Sequence, residues 1–279
     1  MNLKALLLTG LLSVAAMGVV PSANAANVAI VGQYNRWNVE IPVFQAQGDT
    51  VSTFSSYSAI ADLKAYDIIW DADYFGPSSS ADSARVIDFV KSGRGFYGQV
   101  ERPCCDSHDF WLQGIFRTLT GDNDIVFGFN GDSPSNAPSQ FLTPDLSILV
   151  DPSDIRNTTF DSQAPGWMGG IDPARIFAKQ EQTDWVIGAA WATTDLVDNA
   201  GRLVVVSDID WLDSLTDSET QALINFRKFL LAGQPLPQGC GANPTLPGCQ
   251  GGGQVPEPGS LALLGLGLAG LVAFRRRKA

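Results

Sequence analysis

Ala61-Asp62-Leu63-Lys64-Ala65-Tyr66-Asp67-Ile68-Ile69-Trp70 is the stretch on which the fold turns. Leu63 and its neighbours predict one helical turn. Ile68, Ile69 and Trp70 then form a short apolar run with no polar alternation, closed by Asp71 and Asp73. A run of that kind is what a strand covered on both faces requires. Downstream, Ser80 to Ser92 predicts a helix, with Ser80 as its cap, Val86, Phe89 and Val90 on one face and Gly93 as its stop. The chain passes at once into a further strand, Gly95 to Gln99. Upstream, Val28 to Val31 is a buried first strand closed by Gly32. Trp37 to Ala46 predicts a short or bent helix around Pro42, and Thr50 to Phe54 a second strand. Gly121 to Gly170, rich in Asp, Ser, Pro and Gly, predicts an inserted loop or lobe with short strands. Regular structure returns at Trp185 to Ala192 and at Arg202 to Ser207, and a helix from Ser218 to Leu231 closes the body. Strands alternating with helices predict a single α/β domain, with a mostly parallel sheet and helices on both faces. The strands Val28 to Val31, Asp67 to Trp70, Gly95 to Gln99 and Arg202 to Ser207 are expected at its centre.

The two ends follow different rules from the body. Lys4, the apolar run Ala5 to Val20, Pro21 and then Ala23-Asn24-Ala25 predict a secretory signal peptide over residues 1–25, cleaved after Ala25. The other end reads Val255-Pro256-Glu257-Pro258-Gly259-Ser260, then Leu261 to Phe274, then Arg275-Arg276-Arg277-Lys278-Ala279. Two prolines hold Glu257 in extended, unpaired backbone that a protease can reach. As a helix, Ser260 to Phe274 would rise about 22 Å, short of a hydrocarbon core of about 30 Å. A basic cluster after it keeps the last residues cytoplasmic and the body outside. Between body and tail, residues 234–254 form a Pro/Gly-rich linker.

The order of Pro256-Glu257-Pro258, a short apolar helix and an Arg-rich terminus resembles the PEP-CTERM sorting signal read by exosortases. That resemblance implies transient inner-membrane insertion through a C-terminal transmembrane helix and cutting near Pro256-Glu257-Pro258. It further implies release to the cell surface or an exopolysaccharide matrix, with an exosortase-type enzyme and an extracellular polysaccharide as partners. With both ends processed, basic residues fall from 18 to 13 against an unchanged 29 acidic ones, and the formal charge moves from −11 to −16. Such an acidic body argues against nucleic acid and anionic membrane surfaces as partners.

Several body segments together resemble the class I glutamine amidotransferase-like, flavodoxin-like domain, over residues 26–233. They are Leu63-x-x-Tyr66-Asp67-Ile68-Ile69, the passage through Gly93-Arg94-Gly95, and Gly201-Arg202-Leu203-Val204-Val205-Val206-Ser207-Asp208. In catalytic members of that superfamily a nucleophilic cysteine follows a strand, and a histidine with an acidic partner arrives late in the chain. Here the turn is Val100-Glu101-Arg102-Pro103-Cys104-Cys105-Asp106-Ser107-His108, and the protein's single histidine is in it. The late position offers Asp208, Asp210 and Trp211, none of them a neutral-pH proton shuttle. The resemblance thus implies a non-catalytic binding or structural domain.

Three readings of this turn stand side by side. Cys104 or Cys105 is a nucleophile with His108 as base and Asp106 or Asp109 as orienter, which would make the protein a cysteine-dependent hydrolase. Alternatively the thiolates, His108 and a carboxylate hold zinc, although the usual spacer between thiolates is missing. In the preferred reading the vicinal pair is oxidised or pairs elsewhere and fixes a loop at the carboxyl edge of the sheet. Cys240 and Cys249 bracket a short Pro/Gly loop and are expected to form a disulfide that stiffens the linker. Asp71, Asp73, Asp106, Asp109, Asp208 and Asp210 all follow strands, the edge where open α/β sheets bind ligands. Asp71, Asp73, Asp208 and Asp210 are therefore candidates for calcium, weighed against scattered capping carboxylates. Trp37, Tyr74, Phe75, Trp111, Trp167 and Trp211 are candidates for a sugar-stacking surface, weighed against core packing. No cofactor is expected.

Overall fold

The computed structural model describes residues 25–32, 39–73, 79–101, 106–129, 137–163 and 165–232. Contacts divide the chain into units Met1–Gln234 and Pro235–Ala279, and the described residues all belong to the first. The signal segment, the linker with Cys240 and Cys249, the tail from Val255 to Ala279, and Cys104 and Cys105 lie outside them. Among the described residues no helix is long and apolar enough to cross a membrane.

Five strands form the parallel half of one sheet: β1 (Asn27–Val31), β2 (Thr50–Phe54), β3 (Ile68–Asp71), β4 (Gly95–Val100) and β11 (Arg202–Ser207). Their spatial order is β2-β1-β3-β4-β11, with every pairing parallel. This is one of the two common doubly wound orders, and the winding reverses between β1 and β3. Beyond β11 every pairing is antiparallel. There lie β10 (Val186–Trp191), β9 (Ile176–Gln180), β6 (Ser139–Phe141) and β7 (Thr159–Phe160), while β8 (Trp167–Gly169) pairs with β10 and with β5 (Val126–Phe129). The sheet is therefore mixed, parallel through the five strands from β2 to β11 and antiparallel beyond them. Residues 121–170 do not form a separate lobe, because β6 and β7 extend the main sheet and β5 and β8 hang from β10.

Helices cover both faces. On one side lie α1 (Glu40–Ala46), α4 (Ser147–Val150) and α5 (Asp217–Leu231); on the other, α2 (Ser80–Lys91) and α3 (Asp106–Thr120). Strand residues alternate between them. Ile68, Trp70, Tyr97, Val204 and Val206 pack with Phe44, Leu223 and Phe226. Ile69, Phe96, Leu203 and Val205 pack with Phe89, Leu112 and Phe116. The rings of Trp70 and Tyr97, on neighbouring strands, stack 3.7 Å apart. Gly98 leaves room for α3, since a Cβ there would lie 3.2 Å from Leu112 and 3.3 Å from Phe116.

Helix α2 is capped by Ser79, one residue before the expected Ser80, in a reciprocal box with Asp82. Thr216 and Glu219 make the same box at the start of α5, and the other Glu219 oxygen accepts from the Asp161 amide at 2.9 Å. A buried ion pair joins Asp49, just before β2, to Arg227 of α5, and Asp49 also accepts from the Ala26 amide at 2.8 Å.

Candidate functional site

Parallel strands put the carboxyl ends of β3, β4 and β11 along one edge. Asp71 ends β3 and Asp73 follows it, Glu101 follows β4, His108 and Asp109 occupy the first turn of α3, and Asp208 follows β11. All six are buried. Tyr57, on a 3₁₀ turn at Tyr57–Ala59, reaches the same edge.

Asp71 is the centre of the first group. Its Oδ2 accepts from the Tyr57 hydroxyl at 2.7 Å, and its Oδ1 accepts from the Asp73 amide at 3.1 Å. His108 Nε2 lies 3.6 Å from Oδ1, with the imidazole against Trp111 at 5.5 Å. Burial pushes Asp71 well above the usual carboxylate range. Burial, and then Asp71 itself, push Tyr57 well above an ordinary phenol. Both His108 and Asp71 have 0% side-chain exposure. The imidazole thus faces an inward acid rather than solvent.

The second group ties loops together. Glu101 Oε2 accepts from the Ile209 amide at 2.9 Å, and Asp109 Oδ1 accepts from the Glu101 amide at 3.1 Å. Asp208 accepts from the amides of Asp210, at 2.8 Å, and of Gln163. It holds a left-handed φ of 78°, and burial, then Glu101, push its carboxyl well up. Gly128, at φ +63°, is needed where β5 meets Asp109, because a Cβ there would sit 1.9 Å from Oδ2.

The calcium candidates do not converge. Asp71 and Asp73 stand at β3, Asp208 and Asp210 at β11, and β4 lies between. Two strand spacings, about 9–10 Å, separate the pairs. Among the described residues no group of three or more His, Cys, Asp or Glu side chains could hold a metal ion. The sugar-stacking candidates also divide. Trp111 is buried beside His108, and Trp211 is enclosed by Tyr97, Phe160 and Phe226, so both belong to the core. Trp37, Tyr74 and Phe75 lie outside the described residues. Trp167 is half-buried and, with Trp185, lines an open cleft of about 350 Å³ together with Met168, Ile171, Asp184 and Val186.

Tyr57 and Trp185 were not among the site candidates read from the sequence, and the helical setting of His108 was missed. That setting had a signal: His108, Trp111, Leu112, Ile115, Phe116 and Leu119 recur at helical spacing, and all six are buried. Asp106 to His108, the end of the expected turn, are the start of α3.

Residues 254–278 match the model of the PEP-CTERM protein-sorting motif. The motif marks an exported, surface-targeted protein that is processed by an exosortase. No match was found among curated proteins. Of solved structures, the chain is similar to one described as mmIFT52 N-terminal domain, with TM-score 0.52 and 10% identity over 74% of this chain and 97% of that one. That likeness concerns the fold alone. A putative ThuA-like protein from Parabacteroides merdae has TM-score 0.47 and 12% identity over 76% of this chain and 91% of that one. The exo-beta-1,4-mannosidase Op5Man5 from an Opitutaceae bacterium has TM-score 0.46 and 11% identity, over 75% of this chain but 36% of that enzyme.

Proposed function

We propose that the protein is made with a signal peptide over residues 1–25 and delivered to the cell surface or exopolysaccharide matrix. Exosortase cuts it near Pro256-Glu257-Pro258, and an amidotransferase-like α/β body over residues 26–233 serves there as a non-catalytic binding or structural module. The sorting motif at 254–278 supports the delivery. The reading of the body rests on one observation. The only histidine is wholly buried against Asp71, so no imidazole is presented to a substrate arriving from solvent. The strand order of the parallel half suits an amidotransferase-like, flavodoxin-like assignment.

Two measurements test the proposal. Mass spectrometry of protein from the cell surface or medium should find neither Met1 to Ala25 nor the segment after Pro258, and intact peptides spanning Arg275 to Ala279 there would sink the sorting claim. Purified protein should show no turnover on amide and ester panels. Stoichiometric iodoacetamide labelling of Cys104 or Cys105, coupled to hydrolysis that His108→Ala abolishes, would install the cysteine hydrolase instead.

A further inference from the structure

We infer that the cleft between Trp167 and Trp185 is a binding site for a neutral polysaccharide, whose pyranose rings stack on the two indoles. The inference rests on the surface-protein reading and adds the ligand class and the place that receives it. The indole centroids are 6.4 Å apart at 43°, and both side chains remain partly exposed at an open cleft. A sugar ring has an apolar C–H face and a rim of hydroxyls, which matches a half-wet tryptophan better than a fully apolar partner does.

Trp167 is held in place for this task. Gly169 lies beneath its ring, where a Cβ would come within 2.5 Å of the indole and 2.9 Å of Val126. Pairing of Met168 with Val186 fixes β8 on the sheet, so the platform belongs to a strand and not to a loose loop. At the rim, Asp184 sits at a left-handed φ of 58°, with its carboxylate 2.9 Å from Lys179 Nζ, and offers an acceptor for hydroxyls.

Size and charge narrow the occupant. About 350 Å³ lies at the low end for ligand clefts. An open cleft lets a long chain pass through. With 29 acidic residues against 18 basic ones, the protein repels polyanions.

The test uses the full-length protein in detergent, mixed with mannan or cellulose as neutral probes, alginate as polyanion and chitosan as polycation. Neutral chains should be retained and their soluble oligosaccharides should perturb tryptophan fluorescence. Trp167→Ala and Trp185→Ala should each weaken binding about ten-fold. Trp185→Phe keeps a stacking ring and should stay within about three-fold, which guards against Trp185→Ala merely unfolding the protein. The proposal fails if no neutral chain binds, if both alanine variants bind undiminished, or if alginate or chitosan binds more tightly. Tail removal, measured on the same variants, reports on sorting separately: loss of binding with normal processing overturns only the cleft, and intact binding with failed processing overturns only the sorting reading.

Discussion

The two halves of the sheet are built by different rules. In the parallel half, β3 and β4 are buried at every position and β11 at all but one. Its carboxyl edge is closed by inward acids whose oxygens tie loop to loop. In the outer antiparallel half, β6, β7 and β8 have only 3, 2 and 3 residues, and the feature open to solvent there is aromatic. Among the described residues, the acids at the carboxyl edge fasten loop to loop, and the open cleft lies on the appended strands.

Several substitutions sharpen or break that contrast. The largest effect is expected from Arg227→Ala, which leaves buried Asp49 with only the Ala26 N–H as partner and should lower unfolding free energy by about 3–5 kcal/mol in urea titration. A loss below about 1 kcal/mol would mean that the pair does not fasten α5 to the parallel half. Phe226→Ala should cost about 3–4 kcal/mol. Its ring touches Phe141 and Phe177 of the antiparallel half and Trp211 beyond β11, so one cooperative transition is expected. Separate transitions for the two halves would break the idea of a shared core.

Buried acids predict an unusual pH response, most of all Glu40 at the start of α1. Burial raises Glu40 from 4.5 to about 8. The folded state therefore holds an extra proton between those values. Stability is fully present below pH 4.5, falls as pH rises through that window and levels off above about 8. Asp71 and Asp208, also raised, add slope of the same sign. Glu40→Gln should remove up to about 1.4 kcal/mol per pH unit at the steepest point, read from denaturation midpoints across pH. An unchanged slope would show that Glu40 is not buried as an acid. The smallest effect is expected from Ser79→Ala, which opens the α2 capping box and should cost about 1 kcal/mol of thermal stability.

Much of the parallel half was legible because strands covered on both faces read as apolar runs: Val28 to Val31, Ile68 to Trp70 and Arg202 to Ser207 carry that signal in the chain alone. The antiparallel strands were not, since two or three residues cannot display a period, and Ser139–Phe141 or Thr159–Phe160 acquire their state from the neighbour they pair with. At the candidate edge, Asp71 and Asp208 were visible by position after strands. Their partners were not, because Tyr57 reaches Asp71 from 14 residues away and Gln163 reaches Asp208 from 45. Helix α3 was legible and was obscured by the cysteine pair before it.

Strand β11 is the last strand among the described residues and yet occupies the middle of the sheet, between β4 and β10. During synthesis the four earlier parallel strands and the antiparallel group therefore share no backbone ladder until Arg202–Ser207 has emerged, more than 100 residues after β4. Closing so long a loop is slow, and most of the chain must already be present before it can happen. The timing of the fold is thus set from its C-terminal end. The sheet is sealed only when this central strand arrives.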